Sequence, residues 1–472
     1  MLDSVCDTLS HDENDERSAV FNTVLATVKL HHVPQLAIRI RNERELTQVD
    51  ALTPIYNCRI LPQPLFGSHH ILFRLEFNDG VGWLLKVPAN GYPNAFDEMS
   101  ALSLRSEALT MRLLKQETAV PIPEVYHFED SCDNKLSCPF ILMEYIVGLP
   151  LYEVWFNQRL TPDDLKRHRL QTLRDIAQAM VQLNKYVFSQ GGAIHFDQDG
   201  KPSDIGSFRK VHTEAMLDAP HTNDEYDGAI IFETAGPFTC PKSYFTYMLE
   251  KRKPPANEDK YGLGLYKLLR LFIDLAFVDI DAQQQEKGFV LSHPDFDIQN
   301  IIVSEDGRLH GLIDWDGVVT VPRCLGNERY PSWLTRDWDP MKYAYQENAT
   351  PGPDNPNNHE NSPNELNHYR EIYQGIMENV LQDKSVKRKT SRSLLLENLA
   401  IAADDPVSFH SIVEKIFEEA KAKTAKDGDD DDDDDDDDDT FYIYEVATAY
   451  ATGELSESHR KRVIRGFQAL LS

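Results

Sequence analysis

The stretch LSHPDFDIQNIIVSEDGRLHGLIDWDG, residues 291–317, constrains this chain more than any other. It threads Asp, Asn and His between short runs of Ile, Leu and Val, although polar residues of that kind ordinarily sit on solvated loops. FVLSH and NIIV have the make-up of buried strands, EDGR that of a turn, and LHGLIDW that of a further strand. The polar side chains therefore fall at strand edges and in one tight loop. The pattern predicts that they face a common place.

The chain around this stretch is long enough to enclose it. Its 472 residues suffice for two or three domain-sized cores, and 41% hydrophobic content with a mean hydropathy of -0.46 fits a soluble globular protein. The formal net charge is -29, with twelve of the acids at Asp427 and Asp429 to Asp439, and the balance stays acidic without them. Such a charge argues against nucleic-acid or anionic-membrane partners, while a local positive pocket for an anionic nucleotide remains compatible with it. The six cysteines are scattered, and Cys132 and Cys138, the closest two, suit neither a zinc knuckle nor a redox CxxC. They read as free thiols in a reducing compartment. The first 18 residues are acidic without an apolar core of the signal-peptide kind, and LLRLFIDLAFVDI is broken by Arg270, Asp274 and Asp279. The expectation is a soluble, cytoplasmic protein.

Residues 15–30 read as a short helix in an N-terminal extension spanning 1–54. Segment 58–88 reads as three strands, with Leu72, Arg74 and Glu76 alternating against Ile71, Phe73, Leu75 and Phe77, and with Asn78-Asp79-Gly80 as a hairpin turn. A helix follows over 98–116, with Leu104, Ala108, Met111 and Lys115 at helical spacing, then PEVYHF and PFILMEY as two more strands. From residue 161 the pattern turns helical: Thr161 can cap, Pro162 suits the first position, and Leu173, Ile176, Ala177, Met180, Leu183 and Val187 form an apolar stripe. A second long helix is predicted over 260–280, and GGAIHFDQDGKPSDIGSF between them as a hairpin or loop insertion. Residues 346–363 and the Asp run at 427–439 read as disordered loops. The run lacks the turn glycine and bidentate Glu of a shaped calcium loop.

His293-x-Asp295-x4-Asn300, followed by Asp314, resembles the catalytic loop and metal-binding Asp of the protein-kinase-like phosphotransferases. In the form Ile313-Asp314-Trp315-Asp316 it looks most like the aminoglycoside phosphotransferase and choline kinase branch. Lys86 ends a strand in GWLLKVP, and Glu107 lies 21 residues on within the predicted helix, the order in which that family keeps its phosphate-binding lysine and the partner Glu. The resemblance covers roughly residues 55–340. It implies an α+β, two-lobed protein-kinase-like fold: a small β-rich N-terminal lobe (55–147) and a larger, mainly helical C-terminal lobe (148–472), with Mg·ATP between them. It gives Asp295 the acceptor's hydroxyl proton, Asn300 and Asp314 the Mg²⁺, and Lys86, held by Glu107, the phosphates. Gly67 and Ser68 would belong to a loop covering the nucleotide, and the backbone at Glu144 and Ile146 in ILMEYIVG would meet adenine. His293 would be a structural member of the loop.

The match has departures. HPDFDIQN carries Pro294 and Phe296 where antibiotic-modifying members usually write HGDLxxxN, and GSHH has one glycine where protein kinases have GxGxxG, so an ordinary turn explains it about as well. Asp316 reads as a charged strand end slightly ahead of a partner to the metal. GNERYPSWLTRDWDP (326–340) resembles the stretch after the metal motif in fungal members, implying a fungal source. Within it, Arg329, Trp333, Arg336, Asp337 and Trp338 read as anchors of the C-terminal lobe ahead of an acceptor-pocket lining. The expected activity is transfer of the γ-phosphoryl group of ATP to a hydroxyl of a small-molecule acceptor, with the acidic region after residue 340 favouring a cationic one. The alternatives are a catalytically silent nucleotide-binding or scaffold protein and, third, a protein kinase, disfavoured because no Ala-Pro-Glu segment follows IDWDG. No motif names the acceptor or the oligomeric state.

Overall fold

The alternation HILFRLEF sets the N-terminal lobe. In the computed structural model, which describes residues 19–45, 56–218, 230–278, 288–347, 360–426 and 441–472, six strands make one antiparallel sheet. They are β1 (Cys58–Ile60), β2 (Leu65–Phe66), β3 (His70–Phe77), β4 (Gly82–Pro88), β5 (Val125–Glu129) and β6 (Phe140–Glu144). The order is β1-β3-β4-β6-β5, with β2 also paired to β3. Segment 58–88 holds four strands rather than the predicted three, because Pro62 and Pro64 divide the first run.

Ile71, Phe73, Leu75 and Phe77 of β3 are buried on the face away from the cleft, under α1 (Asn22–Thr27) and α2 (Val33–Glu45). Phe21, Val24, Val33, Ala37 and Ile40 supply the cover. Arg41 seals the join, its guanidinium 3.9 Å from the Tyr56 ring and 4.5 Å from the Phe77 ring, with Nη1 donating to Asp79 Oδ1 at 3.0 Å. The single helix predicted over 15–30 corresponds to α1 and misses α2; residues 15–18 lie outside the described ones. On the other face, Leu72 and Leu84 turn toward the interlobe cleft. Across that face lies α3 (Glu98–Glu117), started by Asp97, whose side chain accepts from Ser100 N at 2.8 Å, and packed through Leu104, Ala108, Met111 and Leu114.

Beyond residue 144 the chain crosses to the second lobe, through β7 (Leu149–Pro150), α4 (Leu151–Trp155) and α5 (Pro162–Met180), the last capped by Thr161. The helix gives way to a 3₁₀ turn after Met180, so Val187 leaves the predicted stripe and lies exposed in β8 (Val187–Phe188). Two hairpins follow: β9 (Ala193–Phe196) with β10 (Pro202–Gly206), and β11 (Phe208–Val211) with β12 (Phe232–Ala235), α6 (Thr213–Asp218) lying in the second connection. Next come α7 (Pro241–Lys251) and α8 (Lys260–Ala276), which stops short of the predicted 280. The 291–317 stretch forms β13 (Phe289–Leu291), β14 (Ile301–Val303) and β15 (Leu309–Leu312), and β16 (Thr320–Pro322) pairs back onto β13.

Helices α9 (Pro363–Leu381), α10 (Ser385–Asp404), α11 (Phe409–Lys426), α12 (Ile443–Thr452) and α13 (Glu457–Leu471) complete the lobe. Most of them share a second apolar core with α7 and α8. No helix among the described residues is long and apolar enough to cross a membrane. The segments read as disordered loops, 346–363 and 427–439, lie mostly or wholly outside the described residues. The fold is the α+β, two-lobed arrangement that the resemblance implied.

The lobes meet where the linker itself becomes part of the hairpin sheet: β7 pairs with β14, Pro150 opposite Ile302 and Leu149 opposite Val303. Gly148 permits that approach, since a Cβ there would lie 2.5 Å from Ile302 Cγ2 and 2.8 Å from Val303 O. Gly148→Ala should therefore cost about 1–3 kcal/mol. Urea unfolding would show a lower midpoint at unchanged slope; an unchanged midpoint would show that the linker and β14 have slack between them.

Candidate functional site

Lys86 sits near the end of β4, opposite Leu72 of β3 and Ile141 of β6, and is 4% exposed. Its Nζ donates to Glu107 Oε1 of α3 at 2.7 Å and to Asp314 Oδ1 at 3.2 Å. Burial works against the ammonium, but Glu107, Asp314 and Asp316 outweigh it and hold Lys86 protonated above its ordinary range. Burial also pushes the Glu107 carboxyl up to about 7, opposed chiefly by Lys86, so its ionised form depends on that neighbour.

Asp314 owes its position to what pins the residues beside it. Ile313 N donates to Asn300 O at 2.9 Å, His293 Nε2 to Ile313 O at 3.0 Å, and Trp315 Nε1 to Leu312 O at 3.0 Å. The His293 and Trp315 rings meet edge-on at 4.6 Å. With both neighbours fixed, the chain turns at Asp314, whose φ of 62° is left-handed. Such a conformation costs on the order of 1–3 kcal/mol and is tolerated best by short polar residues. Burial raises the Asp314 carboxyl, but the Lys86 charge prevails and leaves it below the usual range. His293 is pushed down to about 4, mainly by burial, and stays neutral with its Nε2 proton committed to Ile313.

Asp295 follows β13. Its Oδ2 accepts from Asn300 Nδ2 at 2.7 Å and Gln299 Nε2 at 3.0 Å, and Asn300 Nδ2 also donates to Asp295 O at 3.0 Å. Partial enclosure, then the Asp297 charge, raise the Asp295 carboxyl against those bonds. Gly67 and Ser68 form the turn into β3, closed by Gly67 N on His70 O at 2.8 Å. The Glu144 side chain accepts from Lys115 Nζ and Glu124 N, each at 3.1 Å.

The structure gathers Lys86, Glu107, Gly67, Ser68, Glu144, Ile146, Asp295, Asn300 and Asp314 around one cleft of about 480 Å³. Leu72, Leu84, Met111, Met143 and Ile302 line it with apolar side chains, and Lys86, Asn300 and Asp314 with polar and charged ones. Among the described residues no group of three or more His, Cys, Asp and Glu gathers as a metal centre.

Two residues that bear on the site had no role of their own in the motif reading: His70, which ends GSHH, and Arg209. His70, beside Lys86, is pushed down to about 3 by burial and then by the Lys86 charge. Arg209 of β11 reaches a gap lined also by Lys86, Glu107 and Asp316. Asp316 itself is not a charged strand end. It lies in the cleft wall, where burial is outweighed by His70, Lys86 and Arg209, which bring its carboxyl to about 2.

Behind the loop, the 326–340 segment anchors. Arg329 donates to Glu397 Oε1 at 2.8 Å and to His293 O at 3.2 Å; Arg336 bridges Asp297 at 2.9 Å and Glu360 at 3.1 Å. Asp337 accepts from Arg370 at 2.6 and 3.0 Å, and Trp333 and Trp338 are buried. Arg329→Met would strand the buried Glu397 carboxylate and should cost about 3–5 kcal/mol in urea unfolding. The double change with Glu397→Leu should recover most of that loss; a single variant as stable as the parent would remove Arg329 from this anchoring role.

No family model matches the chain. Altered inheritance of mitochondria protein 9, mitochondrial, from Kluyveromyces lactis is 22% identical over 345 residues, 63% of this chain and 54% of that protein. Its counterpart from Eremothecium gossypii is 23% identical over 311 residues, 57% of this chain and 50% of that one. The chain thus spans about half the length of these fungal relatives. Their name overturns the cytoplasmic expectation, since it assigns them to mitochondria. Among solved structures, a thermostable mutant of aminoglycoside phosphotransferase APH(4)-Ia in ternary complex with AMP-PNP and hygromycin B aligns over 90% of this chain and 98% of its own. Identity is 11% and the TM-score 0.39. At the level of its two-lobed, protein-kinase-like fold, the chain is similar to aminoglycoside phosphotransferases.

Proposed function

We propose that this cleft binds Mg·ATP and that the chain transfers the γ-phosphoryl group to a hydroxyl of a small molecule. The observation that carries the reading is a buried lysine divided between Glu107, at 2.7 Å, and a left-handed Asp314, at 3.2 Å. A cleft of about 480 Å³, lined by apolar side chains together with a few polar and charged ones, has the size and character of a nucleotide site. Asn300 and Asp314 are hard oxygen donors of the kind Mg²⁺ takes, in the small number it needs beside phosphate oxygens. The bound ion would neutralise charge on the phosphates. Lys86 would hold the phosphates from the sheet side, with Glu107 fixing its ammonium. Asp295, whose Oδ2 already accepts from Asn300 and Gln299, would receive the acceptor's hydroxyl proton at Oδ1 as the new O–P bond forms and the bond from the γ-phosphorus to the β,γ-bridging oxygen breaks, releasing ADP.

The acceptor is proposed by its hydroxyl alone. Asp297 and Glu360, which could have drawn a cationic acceptor to the loop, are both paired with Arg336. The naming of the relatives directs an acceptor screen toward mitochondrial small molecules.

Calorimetric titration with AMP-PNP tests the reading before any acceptor is known. Binding should strengthen with Mg²⁺, and Asp314→Ala should lose that dependence. Asp295→Ala should keep nucleotide binding and lose ATP turnover. Absence of binding in the folded protein would sink the proposal.

The rate should also depend on pH through Asp295. Its carboxyl is raised above the ordinary aspartate value and is needed ionised, so turnover should fall as pH drops through that raised value. Gln299→Leu removes a bond that favours the ionised form, and should move the acid limb to higher pH. A limb that stayed in place would take Asp295 out of the proton-accepting role.

A further inference from the structure

We propose that Arg209 is a positioning residue and that its hairpin is a built-in brace, holding α3 against the C-terminal lobe so that the Lys86–Glu107 pair is assembled without a partner or a modification. The proposal rests on the nucleotide-binding reading above and extends it to a segment with no assigned role.

The pair needs a fixed α3, because Glu107 reaches Lys86 only while that helix lies against the sheet. The sheet side of α3 is secured by its apolar residues, while its first turns line, through Ser100 and Leu104, the gap that Arg209 enters. Arg209 meets them there. Its Nη1 donates to Ser100 Oγ at 2.8 Å; the same hydroxyl donates to the cap residue Asp97 at 2.6 Å and accepts from Asn90 Nδ2 at 3.1 Å. The start of the helix is thereby tied to β11. The Phe232 ring of β12 lies 3.9 Å from the guanidinium and meets the His69 ring edge-on at 6.3 Å, so the Arg209 side chain is held from below.

The hairpins are themselves rooted in the C-terminal lobe. Gly192 N donates to Thr320 O at 3.1 Å and Thr320 N to Gly192 O at 2.8 Å, four residues beyond Asp316. The seam between α3 and this segment, lined by Met99, Leu102, Ser106, Phe208, Arg209 and Val318, leaves a gap of only about 10 Å³. A second gap of about 10 Å³ separates Arg209 from Lys86, Glu107 and Asp316. Swinging α3 away would have to break the Ser100 bond and open both seams. The guanidinium also adds positive charge beside Asp316, at an end of the cleft where Lys86 otherwise faces Glu107, Asp314 and Asp316.

Arg209→Met keeps much of the side chain and removes the charge and the donor, while Arg209→Lys keeps the charge. Two measurements decide the matter: amide exchange over 98–110 in the nucleotide-free protein, and calorimetric affinity for Mg·AMP-PNP. With Arg209→Met, exchange over 98–110 should rise about tenfold and affinity should fall about tenfold, the scale of one charge-assisted hydrogen bond. Exchange over 260–276 should stay as in the parent, and Arg209→Lys should restore most of both losses. Unchanged exchange over 98–110 would overturn the brace whatever the nucleotide does. Faster exchange with unchanged affinity would overturn the positioning role. Should the parent protein fail to bind Mg·AMP-PNP, the functional reading falls while the exchange measurement still decides the brace.

Discussion

The buried ion pair between Lys86 and Glu107 is the constraint on which the rest of the molecule depends. Taking an ammonium and a carboxylate out of water costs several kcal/mol for each ion, and their attraction offsets this only when the geometry is held closely. Here one partner comes from β4 and the other from α3, so two separate elements must be fixed at hydrogen-bond tolerance. The architecture supplies this from several sides. Helices α1 and α2 cover the outer face of the sheet, Asp97 fixes the start of α3, and the hairpin carrying Arg209 closes on the same turn.

Lys86 in turn links the pair to the second lobe. Its 3.2 Å contact with Asp314 is the looser of its two, and Asp314 is kept in a strained left-handed conformation by the pinning of its neighbours rather than by a rigid side-chain partner. The strain is maintained by bonds running through His293, Asn300 and Trp315, and His293 is tied to the 326–340 segment by Arg329. A polar residue threaded between apolar runs therefore has a definite mechanical meaning in this chain: it either turns the loop, as Asp314 does, or clamps it, as His293 does.

The legible parts of the fold and site were those whose signals are local. Strand-length apolar runs with fixed spacing bring Asp295, Asn300 and Asp314 together over a few residues of hairpin; the strand of Lys86 and the helix of Glu107 were equally legible, but only the family resemblance paired the two residues. The less legible parts depend on contacts between distant segments. Helix α2 does carry Val33, Ala37 and Ile40 at helical spacing, but its arginines and glutamates dilute the stripe, and only the sheet it covers explains it. Asp316 looks like a charged strand end until His70, from another lobe, and Arg209, from a separate hairpin, are set around it. Arg209 itself had no motif to betray it, since an arginine in a short strand is ordinarily a solvated one.

The charge balance of the cleft bears on the proposed chemistry. The chain's net charge of -29 matters little at short range, because exposed charges are screened beyond about 8 Å at physiological salt. Within the cleft and its back wall, Lys86 and Arg209 stand against Glu107, Asp314 and Asp316, so the phosphate end is itself negative while those acids are ionised. A bare triphosphate entering there would add like charge to like charge in a partly desolvated space. A divalent cation between the phosphates and Asp314 would reverse the sign of that encounter. On the proposed function, metal dependence is then a condition for nucleotide entry as well as for phosphoryl transfer, and Asp314 is the residue through which both are felt.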